Sequence, residues 1–562
     1  MPDVTPAAGP RGEGDVAEPA IQALLDDLLA DNPVLATGLG LTTGADRLPS
    51  WSAEAVSRRI DMLRRHERTL LSLFGDHSVE TAVDAFAGLQ IARRQLRDLE
   101  LRRVQHRRPG AYLDVLFGLL PLLMRELGSP AERVEALAGR LRATPGLLEE
   151  ARDNLEPGLP AVLVVAGLDE VDGLLELAGP TVRAFAAGAE LEGALDRASQ
   201  TACTALAAFR EYLRDGLLPG AAAECGAGRA VLEDILLWEH VLDESPEELA
   251  SYGRDVLAET KADMLEVAAE LGHEDAASAV AALQSDHPAP HDLVAAYRRA
   301  VEDARAHVVA GGLVTIPPGE ELTVMATPTS LRSLLPFAAY DPPGPYDARQ
   351  LGFYYVTPPR DGLDGAVLDA ALRSHPRASL ATTGVHEAYP GHHLQLVSAN
   401  RAPTLARRVA HMPDGGNILV EGWAFYCEEL MERQGFLAGP AVRLMRLNDQ
   451  VWRACRVVID VELHLGDMDL PAAVDYLCAE AHMNRYEAEL ECRRYAGEPG
   501  QAMSYLLGKR EVRRLAAVYE RERGGSLRDF HDELLKWGCL PPAVIAWGMG
   551  LSPAPPAARV RS

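Results

Sequence analysis

The chain has 562 residues, 48% of them hydrophobic, enough for a large buried core and for two or three packed lobes. Asp and Glu outnumber Lys and Arg by 82 to 55, a formal charge of -27, so a polyanionic nucleic acid or an anionic membrane is repelled overall and neither is an expected partner. Seven cysteines without a CxxC pair suggest neither a disulfide framework nor a thiolate zinc site, and point to reduced, mostly buried thiols.

Residues 1–18 are rich in Pro, Ala and Gly and read as a flexible end. They lack the basic and apolar stretches of a secretory signal, and no later segment holds about 18 uninterrupted apolar residues; the expected compartment is the cytoplasm. From 19 to 310 the pattern is repeatedly helical. Segments such as SPAERVEALAGRL and SPEELASYGRDVLAETKADMLEVAAEL open with Ser-Pro and Glu and then repeat apolar residues at helical spacing. This half is expected to be a bundle of antiparallel helices without a repeat of fixed length.

The texture changes between 311 and 360, where TIPPGEELTVMATPTS and DPPGPYDARQLGFYYVTPPRD are dense in Pro and Gly and carry short β-rich runs at Leu322–Ala326 and Phe353–Thr357. A small sheet is expected here, with GFYYVTPP as an exposed edge strand able to pair with an extended peptide. Helical signatures return after Gly362 and continue to Trp547. The region 311–551 thus reads as one catalytic unit, and 552–562 as a flexible tail. The fold class is mainly α, with a small β insert and a deep central cleft walled by the N-terminal helices. Arg456 and Asp460, four residues apart, read as a helix-face ion pair.

VHEAYPGHHLQ, Val385 to Gln395, is the sharpest local signal. In an HExxH helix two histidines on one face hold zinc while the intervening Glu polarises the attacking water. Here Pro390 occupies the i+4 position. On a regular helix His392 would be rotated about 120° from His386, and His393 would lie about 10 Å further along the axis. A bulge at Pro390 and Gly391 is therefore expected to swing His392 back towards His386, with His393 as the alternative ligand. EGWAFYCEELM supplies Glu421 as a third ligand, at the head of a helix preceded by the Gly-rich MPDGGN. Glu428 and Glu429, two turns on, are candidates to orient a ligand histidine. His411, His464 and His482 read as structural.

Together, HEAYPGHHLQ, EGWAFYCEEL and the C-terminal ECRRYAGEPGQAMSYLLGK resemble a large bacterial family known as domain of unknown function 885, grouped with zinc peptidases of the gluzincin type. The resemblance covers nearly the whole chain, with its specific motifs between about 320 and 515. It implies a single zinc ion held by His386, His392 and Glu421, with Glu387 as the catalytic base. The expected function is a zinc-dependent peptidase cleaving short peptides. The alternatives are a zinc amidohydrolase of a non-peptide amide and a catalytically silent, peptidase-like binding protein. Zinc hydrolysis also needs a donor to the developing oxyanion. Arg494 and Tyr505 are the preferred candidates, with Tyr495 as the alternative.

Overall fold

The structure is a computed structural model that describes residues 16–555 apart from 75–76, 187–191, 329–331, 333–337, 360–361 and 412–417. The expected ends and the MPDGGN loop thus fall mostly or wholly outside the described residues, although a helix already begins at Ala17.

About 70% of the chain is helical, and the Ser-Pro signals mark true helix starts. Ser129 and Ser245 each accept the amide of the residue three positions on, Glu132 or Glu248, whose carboxylate reaches back to the serine amide. These reciprocal boxes satisfy donors that a helix start otherwise leaves open. They open helices Pro130–Asn154 and Pro246–Glu270. No helix among the described residues is long and apolar enough to cross a membrane.

The hydrophobic core runs through both halves of the sequence. One cluster joins Ile21, Phe86 and Leu89 to Val385, Leu394, Trp423 and Leu534. Another joins Leu249 and Met264 to Phe425, Val457 and Leu507. The N-terminal helices are therefore packed onto the elements that carry the HEAYPGHH segment.

Three strands form the insert: β1 (Glu320–Ala326), β2 (Ala338–Asp341) and β3 (Gln350–Val356). The order is β1-β3-β2, with β1 parallel and β2 antiparallel to β3. GFYYV is therefore the central strand, which corrects the expectation of an edge strand that captures a peptide. Tyr354, Tyr355 and Val356 are buried, and a strand paired on both sides has no open backbone groups to offer a peptide. Arg456 and Asp460 likewise do not serve each other. Arg456 binds Glu491 at 2.9 Å, and Asp460 accepts the amides of Gly500 and Met503 at 2.9 and 3.0 Å. Asp460 thereby pins the Pro-Gly turn between helices Arg485–Gly497 and Ser504–Arg523.

None of the seven cysteines forms a disulfide, and five are buried.

Candidate metal centre

Helix Arg377–Glu387 stops at the His-Glu pair, and a new helix, His392–Ala399, starts five residues later. Between them lie Ala388, Tyr389, cis-Pro390 and Gly391. The Gly391 amide bonds back to the Val385 carbonyl at 3.0 Å, and the Trp423 indole holds the Pro390 carbonyl at 2.7 Å. A Cβ at Gly391 would sit 1.9 Å from the His386 carbonyl oxygen and 2.3 Å from that of Val385, so only glycine closes this loop. The break brings the His386 and His392 rings to 4.8 Å between centroids, at 90°.

Glu421 comes from helix Ile418–Arg433, which crosses Ser504–Arg523 backbone to backbone. A Cβ on Gly422 would lie 2.4 Å from the Gly508 Cα, and one on Gly508 would lie 2.0 Å from the Ile418 carbonyl oxygen. The two glycines therefore set the crossing, with Glu421 beside one and Tyr505 one turn from the other. Tyr505 stacks on His386 with centroids 6.2 Å apart and planes within 13°.

His386, His392 and Glu421 each offer a ligand atom, all within 4.8 Å of one another. Glu421 Oε2 stands 3.3 Å from His392 Nε2 and 3.7 Å from His386 Nε2. Two ligands about 2.1 Å from a tetrahedral zinc lie about 3.4 Å apart, so these separations suit a shared cation better than direct hydrogen bonds. Glu421 Oε2 is buried and has no hydrogen-bond partner among the described residues, which a native interior rarely tolerates. Glu428 accepts from His386 Nδ1 at 2.8 Å and so directs the Nε2 lone pair towards Glu421.

The electrostatics match. Burial alone would lower the pKa of His386, yet the Glu421 and Glu428 carboxylates push it up to about 10. Burial would raise that of Glu421, yet the two imidazoles hold it well below the usual carboxylate range. The residues present thus fit a bound cation.

Glu387, the last residue of its helix, is half-buried, and its charge acts on His386 and on the buried phenols of Tyr297 and Tyr354. His393 points away from the group. Its Nδ1 meets the Tyr340 hydroxyl at 2.9 Å and its Nε2 meets Glu320 at 2.8 Å, so it is not an alternative ligand. Of the two second-turn carboxylates, Glu428 orients His386, while Glu429 pairs with Lys509 at 2.8 Å.

Tyr505 is thus the C-terminal candidate placed against the group. Tyr495 and Arg494 stand behind it. The Tyr495 hydroxyl accepts from Arg456 at 2.9 Å and from Trp452 at 3.1 Å and donates to Glu491 at 2.7 Å. Arg494 binds Gln501 and Glu491. Arg453, which the sequence did not single out, and Arg456, which it read only as a helix-face ion pair, have their guanidinium carbons 5.7 and 4.6 Å from the centroid of the Tyr505 ring. Neither residue's spacing carried a signal that pointed to Tyr505.

Glu421 lines a cleft of about 800 Å3, whose far wall comes from helices between Leu28 and Pro121. The N-terminal half thus forms the wall that faces Glu421, and none of residues 385–395 is among the lining.

A comparison with curated proteins finds no match. Two solved structures share the fold. A candidate lipoprotein of unknown function from Shewanella oneidensis is 21% identical, with a TM-score of 0.78, and the match covers 95% of this chain and 99% of that one. A candidate lipoprotein from Colwellia psychrerythraea is 18% identical, with a TM-score of 0.79, covering 95% and 98%. The family model described as bacterial protein of unknown function (DUF885) matches residues 33–549, and the chain belongs to that family.

Proposed function

We propose that this protein is a zinc-dependent hydrolase that cleaves the peptide bonds of short peptides, as gluzincin-type peptidases do. The observation that carries the reading is the buried group of His386, His392 and Glu421, with an unsatisfied Glu421 oxygen at its centre and the cleft beside it. When bound, zinc lowers the pKa of a water to near 7 and polarises the scissile carbonyl.

Each neighbouring side chain then has a task. Glu387 accepts the proton of the attacking water and returns it to the leaving amine. Glu428 holds the His386 ring in one tautomer. Burial and the Glu421 charge raise the pKa of the Tyr505 phenol, so it stays protonated and donates to the developing oxyanion. Its hydroxyl makes no hydrogen bond among the described residues. The compartment that goes with this reading is the cytoplasm, on the strength of seven cysteines outside any disulfide; cell fractionation tests it.

Elemental analysis of protein purified with zinc present, together with a peptide-library cleavage assay, tests the function. One zinc per chain is expected. Glu387→Gln should retain the metal and lose about 100- to 10,000-fold in turnover, whereas His386→Ala should lose metal and turnover together. Zinc-free wild-type protein would sink the coordination. Full activity in Glu387→Gln would remove the base.

A further inference from the structure

The cleft that reaches Glu421 also presents one buried guanidinium that donates no hydrogen bond among the described residues. Arg94 lines it, and its side chain is 7% exposed. Its Nε has no hydrogen-bond partner, and the guanidinium donates none among the described residues. Its ion-pair partner, Glu239, stands 3.6 Å away, beyond hydrogen-bond contact, and is shared with Arg97, which it meets at 2.6 Å. The other arginines of this wall are matched: Arg102 to Asp98 at 2.9 Å, Arg108 to Asp114 at 3.0 Å, and Arg59 to Asp31. The amide nitrogen of Gln95, next along the same helix, also lacks a partner among the described residues, and Gln95 also lines the cleft.

A second observation marks the same wall. Helix Val79–Leu96 passes directly into a π-helical turn, Arg97–Leu101, and Glu239 lies on another, Ile235–His240. Such turns interrupt regular packing and recur at functional sites. Buried N–H donors left without acceptors are costly even where a charge stands nearby, and the planar fork of a guanidinium matches a carboxylate in two parallel hydrogen bonds.

We propose that Arg94, assisted by Gln95, binds the C-terminal α-carboxylate of a short peptide whose scissile bond lies at the Glu421 end of the cleft. The inference rests on the hydrolase reading and names its substrate class. Asp31, Asp98, Asp114, Glu239 and Glu498 share the lining, the first three paired with arginines; a wall so near charge balance suits a small zwitterion rather than a multiply charged anion. Trp51, Leu99, Val115 and Phe117 offer apolar contact between them.

The test reads binding without turnover. Full-length Glu387→Gln protein is immobilised and offered mixed tripeptides as free acids and as C-terminal amides, and retention is read by mass spectrometry. Free acids should be held on the order of 10- to 100-fold more tightly than amides. Arg94→Gln should abolish the preference and Arg94→Lys should keep part of it, with circular dichroism melts confirming that both variants fold. Equal retention of acids and amides, a preference that survives Arg94→Gln, or no retention at all overturns the proposal. Arg94-dependent retention of amides that carry Asp or Glu side chains would reassign the carboxylate to a side chain and overturn the α-carboxylate claim. Wild-type protein that cleaves acids and amides alike would leave the hydrolase reading standing without this subsite. Arg94-dependent retention by a chain that binds no zinc would do the reverse.

Discussion

His392 and His393 are neighbours in sequence and sit in two clusters of similar composition and opposite character. Around His393, Glu320 accepts from the Tyr389 hydroxyl at 2.5 Å and pairs with Arg305 at 2.9 Å, while Tyr340 serves the other ring nitrogen. Both ring nitrogens and the charge are accounted for, in a pocket where His393 is fully buried. Around His392, its own Nδ1 and oxygens of Glu421 and Glu428 are buried without hydrogen-bond partners among the described residues. Both clusters are made of His and Glu, so residue type does not separate them. What separates them is whether the polar groups are already satisfied. A closed network holds the metal loop against the sheet, and an open one leaves room for an ion.

The contrast breaks first on a pair of alanine variants. His392→Ala should lose zinc by elemental analysis while the metal-free protein melts near the wild type. His393→Ala should keep zinc and lose about 3 kcal/mol of stability in urea denaturation, because it strips a partner from buried Glu320. Zinc loss in the second variant would erase the distinction.

The cluster behind Tyr505 gives the next largest effect. Burial would raise the pKa of Glu491, yet Arg456 and Arg494 hold it down to about 2. A depressed carboxylate stabilises the fold above its unfolded value near 4.5, and that stability is lost as the pH falls through about 2. Glu491→Gln should therefore cost at most about 3 kcal/mol at pH 7, and the gap to wild type should close as the solution is acidified. A gap that is constant with pH would mean that the carboxylate charge has no part in it.

The smallest effect sharpens the open cluster itself. Glu428→Gln should weaken zinc binding about 10- to 100-fold in a chelator competition, since it alters the group that orients His386 without removing a ligand. Unchanged affinity would leave Glu428 as packing.

Much of this was legible before any fold was known, and for identifiable reasons. Ser-Pro-x-Glu starts are local chemistry, so helices Pro130–Asn154 and Pro246–Glu270 follow from a few residues. The Pro390-Gly391 break was readable because neither residue sustains a regular helix, and the convergence of His386 and His392 follows from it. What could not be read was decided by partners distant in sequence. GFYYV reads as an edge strand from its own residues because pairing on both sides depends on β1 and β2. Arg456 was assigned to Asp460 by spacing alone, while Glu491 and Tyr495, more than 30 residues on, claim it. Arg94 gave no signal at all, since the lack of a hydrogen-bond acceptor for its guanidinium is a property of the surrounding fold.

The Gly422–Gly508 crossing has a mechanical consequence. Helices usually meet through side chains, which can change rotamer and absorb displacement. Here peptide backbone meets peptide backbone, so no compliant layer lies between the helix that bears Glu421 and the one that bears Tyr505. Their spacing is as stiff as the main chain. The opposite wall of the cleft presents long arginine and glutamine side chains on a helix that loosens into a π turn. The cleft thus combines a rigid jaw, where bond-breaking tolerates little positional error, with a yielding one that can adjust to ligands of different length.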